Sequence, residues 1–566
     1  MGVARRATEP HPDESVGPLE RGLTVLRAIA KAPGGRLRAS GLTRGTGLAR
    51  STVDRVAATL IELGYLRAEG DGRELVLAPA AATLGNAYLR ACELPMLLAE
   101  PAEELSAQLE ESVSLAVPDR ESVRFVLQIK RRRALSVAFR VGDALPAERC
   151  APGALFARDW SDDDFAAWRQ RVERDPDYDA FPALPTHRAQ HDAVAGFSQR
   201  IEAARRDGYA EDDQLIEQGL VAIAVPVYDA NGAAVCALSV VSHTSRHSVD
   251  SLREVALQPL LETAARMTAC LTVAVSPGPS PSFAAPHAAP VLSSTGKEEP
   301  GPGYLQSLAR GISVLSVLGD RPDGLTLSEA AAATGLPRAT ARRSLLTSAR
   351  QGYVATDGNR YRILPRVLEL GYARLGQLSL GELAQPHLEQ VVRTVHESAS
   401  MAVLDGEDIR YVARAAAERI MSVDIMIGTR FPAYATSMGR VLLADRPRAE
   451  RESFIAETRL KPLTNHTITD AATLLRVLDR AAEDGYALVD QELEEGLRSI
   501  AVPVHNPAGT AVAAVNVSLH AARTTAAQAG SVVLPLLRTA AAAISADLAL
   551  VSAPTTTSLA ATARNS

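Results

Sequence analysis

The stretch LTLSEAAAATGLPRATARRSLLTSARQGYVATDGNRYRILP, Leu325–Pro365, decides the fold of the region around it. Its first part reads as a short helix, with Ser328 placed to cap its start and Gly335 to stop it. After Leu336-Pro337 a second helix begins, with Ala341, Leu345 and Leu346 on its inward side, and Gly352 ends it. Val354, Tyr361 and Ile363 then alternate around TDGN, the pattern of a β-hairpin turning at Asp357-Gly358. Immediately upstream, Leu305, Leu308, Ile312, Leu315 and Leu318 recur at helical spacing. A helix, a helix–turn–helix and a hairpin in this order make a winged helix–turn–helix, with one face of the last helix left outside.

The pattern occurs twice. GLARSTVDRVAATLIELGYL (Gly47–Leu66) answers GLPRATARRSLLTSARQGYV (Gly335–Val354), and LERGLTVLRAIA (Leu19–Ala30) answers LARGISVLSVLG (Leu308–Gly319). Much further along each copy, GYAEDDQLIEQGLVAIAVPV (Gly208–Val227) and GYALVDQELEEGLRSIAVPV (Gly485–Val504) agree at 13 of 20 positions. The repeat unit is far longer than one solenoid turn, so what is duplicated is a pair of domains. Downstream of each winged helix, strand-like runs such as ASMAVLDG, DIRYVARA and TAVAAVNVSLH mix with helices such as LLRVLDRAAEDG, which points to an α+β domain. The expected order is a disordered tail (1–17), a winged helix (18–80), an α+β domain (81–275), a linker (276–303), a second winged helix (304–366), a second α+β domain (367–550) and a disordered tail (551–566). The linker is assigned from SPGPSPSFAAPHAAPVLSSTGKEEPGPG, which is dense in Pro, Gly and Ser and has no apolar period.

A chain of 566 residues exceeds one core, in keeping with several domains. The net charge of −6 is unevenly spread. Leu19–Pro79 holds ten Lys/Arg against six Asp/Glu, and Tyr304–Arg366 nine against four, so the two winged helices are basic and the remainder acidic. Cys92, Cys150, Cys236 and Cys270 all lie in the first copy without a C-x-x-C pair, which argues against a disulfide framework or a cysteine metal site and fits a cytoplasmic protein. The apolar run VVLPLLRTAAAAISADLALV contains Arg538 and Asp547 and reads as an amphipathic helix, so no membrane partner is expected.

The helix–turn–helix block, the connector LPRVLELGYARL and the run IGTRFPAYATSMGRVLLA (Ile427–Ala444) together resemble the IclR family of bacterial transcription regulators. In the second copy LPRATARRSLL, YVARAAAERIMSVDIMIGTRFPAYATSMGRVLLA and GYALVDQELEEGLRSIAVPV are most similar to its β-ketoadipate-pathway branch. The resemblance covers nearly all of Tyr304–Leu550, and the first copy shares it more loosely. It implies a GAF-like effector-binding domain after each winged helix, operator DNA as partner, and an aromatic or dicarboxylic acid effector such as protocatechuate, 4-hydroxybenzoate or β-ketoadipate. It also implies homo-oligomers, although a chain with two readers is equally a covalent pseudo-dimer.

On the second reader Arg338 and Arg342 lie four apart on one outward face, flanked by Thr340 and Arg343. Arginine suits phosphate oxygens and the guanine edge through its two-pronged donor geometry. Arg360 and Arg362 on the hairpin are placed for neighbouring phosphates. The first reader keeps Arg50, Thr52 and Arg55 at the matching places but carries Asp54 opposite Arg342, and its preceding helix contains Gly41 and Gly45. Each interior glycine costs about 1 kcal/mol against alanine, so a weaker or differently specific first reader is expected. For the effector, the resemblance assigns Thr436, Ser437 and Met438 at a helix N-terminus suited to a carboxylate, with Ser499, Asn516 and Ser518 lining the pocket. Asn516 and Ser518, two apart on one strand, face the same side. Asp490 and Glu492 in the matching acidic loop, and Arg430 as a further carboxylate partner, complete the set. The first copy has Cys150, Pro152, Ser239 and Val241 in place of Thr436, Met438, Asn516 and Ser518, and is expected to be structural, dimerising or altered in ligand.

Two other readings compete with this one. A hydrolase or transferase using the pocket would need a catalytic signature, and the chain shows no G-x-S-x-G, Walker loop or H-E-x-x-H. His387 and His466 stand far apart without ligand-like neighbours, so no metal or other cofactor is expected. A sensor module that has lost DNA binding is opposed by the intact second reader.

Overall fold

Apolar periodicity resolves into four antiparallel sheets and their covering helices in the computed structural model, which describes residues 16–70, 72–131, 139–184, 192–274, 303–376, 378–417 and 425–551. The expected tails and linker fall almost wholly outside the described residues. The chain divides into two compact units, one running through Gln377 and the other starting at Leu378.

The first unit holds both winged helices and the first α+β domain. Helices Gly17–Lys31, Ala39–Thr46 and Arg50–Glu62 carry a three-stranded wing of β1 (Arg36–Arg38), β2 (Leu66–Glu69) and β3 (Glu74–Leu77) in the order β1-β3-β2. In the α+β domain β4 (Ser112–Asp119), β5 (Ser122–Ile129), β6 (Ala144–Pro146), β7 (Ala210–Asp213), β8 (Leu220–Tyr228) and β9 (Ala234–His243) form a sheet in the order β6-β5-β4-β9-β8-β7. The second winged helix repeats the first with helices Gln306–Val317, Leu327–Thr334 and Arg338–Arg350 and strands β10 (Leu325–Thr326), β11 (Val354–Asp357) and β12 (Arg360–Ile363). Its short helix starts two residues earlier than expected. The cap is Thr326, whose hydroxyl accepts from Glu329 N–H while the Glu329 carboxylate accepts from Thr326 N–H, a reciprocal box that Ser328 cannot make from inside the turn. The stop at Gly335 is as read, with φ +65°.

The two winged helices pack against each other through equivalent residues. Leu308 lies where a side chain on Gly22 would stand, and Leu19 lies where one on Gly311 would stand. Val16 N–H donates to Thr347 Oγ1 at 2.9 Å, and Leu305 N–H donates to Thr59 Oγ1 at 2.9 Å. Leu19 and Leu308, Gly22 and Gly311, Val16 and Leu305, Thr59 and Thr347 are matched positions of the repeat. Each of these four contacts is therefore made once in each direction, as at an isologous two-fold interface. Behind this interface Glu369 collects the Tyr353 hydroxyl (2.8 Å), Arg366 (3.2 Å), Arg27 (3.7 Å) and Arg124 (4.0 Å). Those side chains come from the second winged helix, the connector after it, the first winged helix and β5, so one carboxylate ties three domains. Burial pushes its pKa up, yet Arg366, Arg124, the Tyr353 hydroxyl and Arg27 together hold it below the ordinary value.

The second unit is one α+β domain. Strands β13 (Ala399–Asp405), β14 (Asp408–Ala415), β15 (Arg430–Pro432), β16 (Ala487–Asp490), β17 (Leu497–His505) and β18 (Ala511–His520) take the order β15-β14-β13-β18-β17-β16, the same as in the first copy. Strand alternation gives each face its own core. Ile500, Val502, Val515 and Val517 pack with helices Leu380–Val395 and Leu534–Val551, while Ala501, Ala514 and Tyr411 pack with Ser437–Ala444 and Ala471–Asp484. The run Ala526–Val551 has the length and apolarity to cross a membrane, but here Leu534, Leu537 and Ile544 cover the sheet.

Two outcomes are expected. Gly22→Val should destabilise the full chain by about 1–3 kcal/mol, because Leu308 has no room to retreat from a packed interface; unchanged thermal unfolding would show that this contact is loose. Glu369→Gln should cost about 1.5–3 kcal/mol near neutrality, because it removes the charged acceptor shared by the half-buried Arg27 and Arg366, while Arg124 keeps Asp119 at 2.7 Å. Since the folded carboxyl titrates below the unfolded one, its contribution is complete above the unfolded value of about 4.3 and is lost as pH falls through the folded value. The gap between wild type and variant in urea unfolding should therefore close below about pH 4; a gap that widens on acidification would contradict the assignment.

Candidate functional site

The second reading helix, Arg338–Arg350, buries Ala341, Ser344, Leu345 and Ser348 against its own winged helix. That leaves Arg338, Arg342 and Arg343 exposed and Thr340 half-buried on the opposite face. In the hairpin Arg362 is exposed and paired with Asp357 at 2.7 Å. Arg360 instead braces the wing, donating to the Gly324 carbonyl at 2.8 Å. The first reading helix, Arg50–Glu62, buries Val53, Val56, Ala57 and Leu60 and presents Arg50, Asp54 and Arg55, with Thr52 half-buried. Here the two faces part company. Arg50 Nε donates to both Asp54 carboxylate oxygens, at 2.9 and 3.1 Å, so this face offers a cation already joined to an anion. The preceding helix forms despite Gly41 and Gly45.

In the second unit a cavity of roughly 200 Å³ opens between the sheet and helix Ser437–Ala444. Six of the residues expected there line it: Thr436, Ser437, Met438, Ser499, Asn516 and Ser518. Thr436 caps the helix, its hydroxyl accepting from Gly439 N–H at 3.1 Å, which leaves the N–H groups of Ser437 and Met438 as the open donors of the first turn. Ser437 Oγ and Ser499 Oγ lie 2.9 Å apart across the cavity wall. Asn516 Nδ2 reaches Ser518 Oγ at 3.4 Å, while its buried Oδ1 has no partner among the described residues. Tyr411 and Phe431 meet edge to face with centroids 5.9 Å apart and form an aromatic wall; burial raises the Tyr411 phenol to about 12, so it stays neutral. The arrangement joins helix-terminal donors and hydroxyls to a flat apolar surface, suited to a small anion with a ring.

Three expected residues stand elsewhere. Arg430 is exposed on β15 and bonded to Asp405 (2.7 Å) and Asp408 (3.1 Å); its strand neighbour Phe431 turns to the cavity instead. Asp490 pairs with Arg498 at 2.7 Å on the far side of β16, and Val489 takes the lining position. Glu492 is buried in a two-pronged bond to Arg440, at 2.7 and 2.5 Å, and accepts from Ile468 N–H at 3.1 Å. Its role is to hold the loop that brings Leu493 and Glu494 to the cavity. The lining residues Tyr411, Ile425, Phe431, Val489, Leu493 and Leu497 were not foreseen. A signal for the Arg440–Glu492 pair did exist: in the first copy the matched positions are Ala154 and Leu215, both partners exchanged together.

The first copy fills the same place differently. Ala435 is matched by Arg149, which donates to the carbonyls of Leu215 (2.8 Å) and Ile216 (3.1 Å). Ile425 is matched by Phe139, stacked on Phe125 at 4.7 Å. Val489 is matched by Asp212, whose fully buried carboxyl is raised to about 7 by burial.

Comparison with known proteins follows this duplication. The IclR helix-turn-helix domain matches residues 18–70 and 307–358, and the bacterial transcriptional regulator IclR C-terminal domain matches 86–269 and 372–546. The Pca regulon regulatory protein of Pseudomonas putida is 41% identical over 256 residues, which is 44% of this chain and 88% of that protein. The p-hydroxybenzoate hydroxylase transcriptional activator of Acinetobacter baylyi is 35% identical over 218 residues, 38% of this chain and 80% of that protein. A crystal structure of a transcriptional regulator from Rhodococcus sp. RHA1 shares 51% identity over 44% of this chain and 99% of its own, with a TM-score of 0.42. The Pseudomonas and Acinetobacter proteins thus each correspond to about one of the two copies. The chain belongs to the IclR family of bacterial transcriptional regulators, with the family's helix-turn-helix and C-terminal domains each present twice.

Proposed function

We propose that this regulator acts in the cytoplasm on genes of aromatic-compound catabolism of the β-ketoadipate type. Its two winged helices serve as a covalent pseudo-dimer on operator DNA, and its second cavity takes a small aromatic or dicarboxylic acid. The observation that carries the ligand reading is the cavity itself: the open N–H groups of Ser437 and Met438, with Ser499, Asn516 and Ser518 nearby, face an aromatic wall of Tyr411 and Phe431. A carboxylate sits well at such a helix start, where donors and dipole act together. The unpartnered Asn516 Oδ1 is set to accept from a ring hydroxyl. The relatives named for the Pca regulon and for p-hydroxybenzoate hydroxylase support aromatic-compound catabolism as the process regulated. Ligand alters DNA affinity only through unequal affinity for the two protein states.

DNA affinity is assigned mainly to the second reader, because Asp54 neutralises Arg50 on the first. Arg338→Ala or Arg342→Ala should cost about 1–3 kcal/mol of operator binding in a salt-titrated gel shift. Loss of binding in Asp54→Ala with Arg342→Ala silent would reverse the assignment.

Calorimetry of the full chain with protocatechuate, 4-hydroxybenzoate and β-ketoadipate tests the cavity. Ser437 is the first residue of its helix, a place where proline is tolerated and only the N–H is lost. Ser437→Pro should therefore weaken the bound acid by about 1.5–3 kcal/mol beyond Ser437→Ala, as expected for a charged acceptor losing its donor. Equal affinities in the two variants, or binding of none of the three acids, would refute the carboxylate site.

A further inference from the structure

The two readers are joined symmetrically but do not present the same chemistry. We infer that the operator is an inverted pair of two unlike half-sites, in which a cytosine faces Asp54 where the other half presents a guanine edge to Arg342. This rests on the DNA-binding reading above and adds the sequence relation between the halves.

The inverted arrangement follows from the interface. The contacts Leu308 on Gly22 and Leu19 on Gly311, with the two reciprocal bonds to Thr347 and Thr59, relate the winged helices by an approximate two-fold axis. Readers related in this way mirror one another on DNA, and their half-sites run in opposite directions.

The inequality follows from the exposed faces. Thr52 and Arg55 have the same residue types as Thr340 and Arg343, so the halves share whatever these positions read. Arg338 and Arg342 are two exposed donors four residues apart, suited to guanine O6 and N7. Arg50 and Asp54 occupy the matched places as one donor and one acceptor, already oriented together at 2.9 and 3.1 Å. A carboxylate is repelled by phosphate and by guanine's two acceptors. Adenine sets N7 beside its amine, so the second carboxylate oxygen meets a lone pair. The cytosine amine offers a donor without that neighbour. Asp54 therefore contributes selectivity while Arg342 contributes affinity and selectivity together.

Selection of duplexes from a fully randomised library by the full chain, followed by competition binding, tests this. The expected result is an inverted repeat whose halves differ at the Asp54 position, with a perfect palindrome built from two second-reader halves bound about tenfold more weakly. Asp54→Arg should make that palindrome the preferred site. Asp54→Ala, in case the arginine variant folds poorly, should abolish the discrimination at that base pair. A palindrome selected by the wild type, a direct repeat, or selection unaltered in both variants would overturn the inference and leave DNA binding standing. No enrichment of any sequence would overturn the DNA-binding reading, and the inference with it.

Discussion

The contact of two leucines with two glycines fixes the architecture of the first unit. Leu308 on Gly22 and Leu19 on Gly311 let two helices approach at a distance that any side chain at either glycine would prevent. The cost is a helix-interior glycine in each, about 1 kcal/mol apiece against alanine. What is gained is a fixed relation between two reading helices. In a chain with one reader that relation requires a second molecule and depends on concentration; here both partners are covalently joined, and the association is intramolecular. Glu369 extends the same constraint to the first α+β domain, whose Arg124 shares its carboxylate with Arg27 and Arg366.

The two copies differ at matched positions. The second keeps a cavity with helix-terminal donors, closed by a loop that the Arg440–Glu492 pair holds in place. The first has exchanged both members of that pair and placed Arg149, Phe139 and Asp212 where the second has Ala435, Ile425 and Val489. A buried ion pair is weak evidence for stability but strong evidence that both partners must change together, since either one alone is an uncompensated charge. The loss of both at once is the physical mark of divergence at this site. The same asymmetry recurs on the reading helices, where Asp54 stands against Arg342.

Local pattern made the helix–turn–helix legible, because helix spacing, a glycine stop and a two-strand hairpin depend on neighbours within a few residues. The helix start at Thr436–Met438 and the paired strand positions Ser499, Asn516 and Ser518 were legible for a similar reason, aided by family resemblance. Arg430 and Asp490 were not. On a strand the side changes with every residue, and Phe431 and Val489, one step away, are the ones that face the cavity. Glu492 failed for another reason: its partner Arg440 lies 52 positions earlier, and no local pattern joins them. The interface between the winged helices could have been suspected from a glycine repeated at Gly22 and Gly311 in the middle of an apolar helix, a costly choice unless something packs there.

On the function proposed above, a single chain supplies both readers for one operator. Native mass spectrometry of the full chain on a duplex carrying one operator measures this directly, at protein below the duplex concentration. One chain per duplex, protecting two half-sites together, is the predicted result. A complex that forms only with two chains, each covering one half-site, would contradict it.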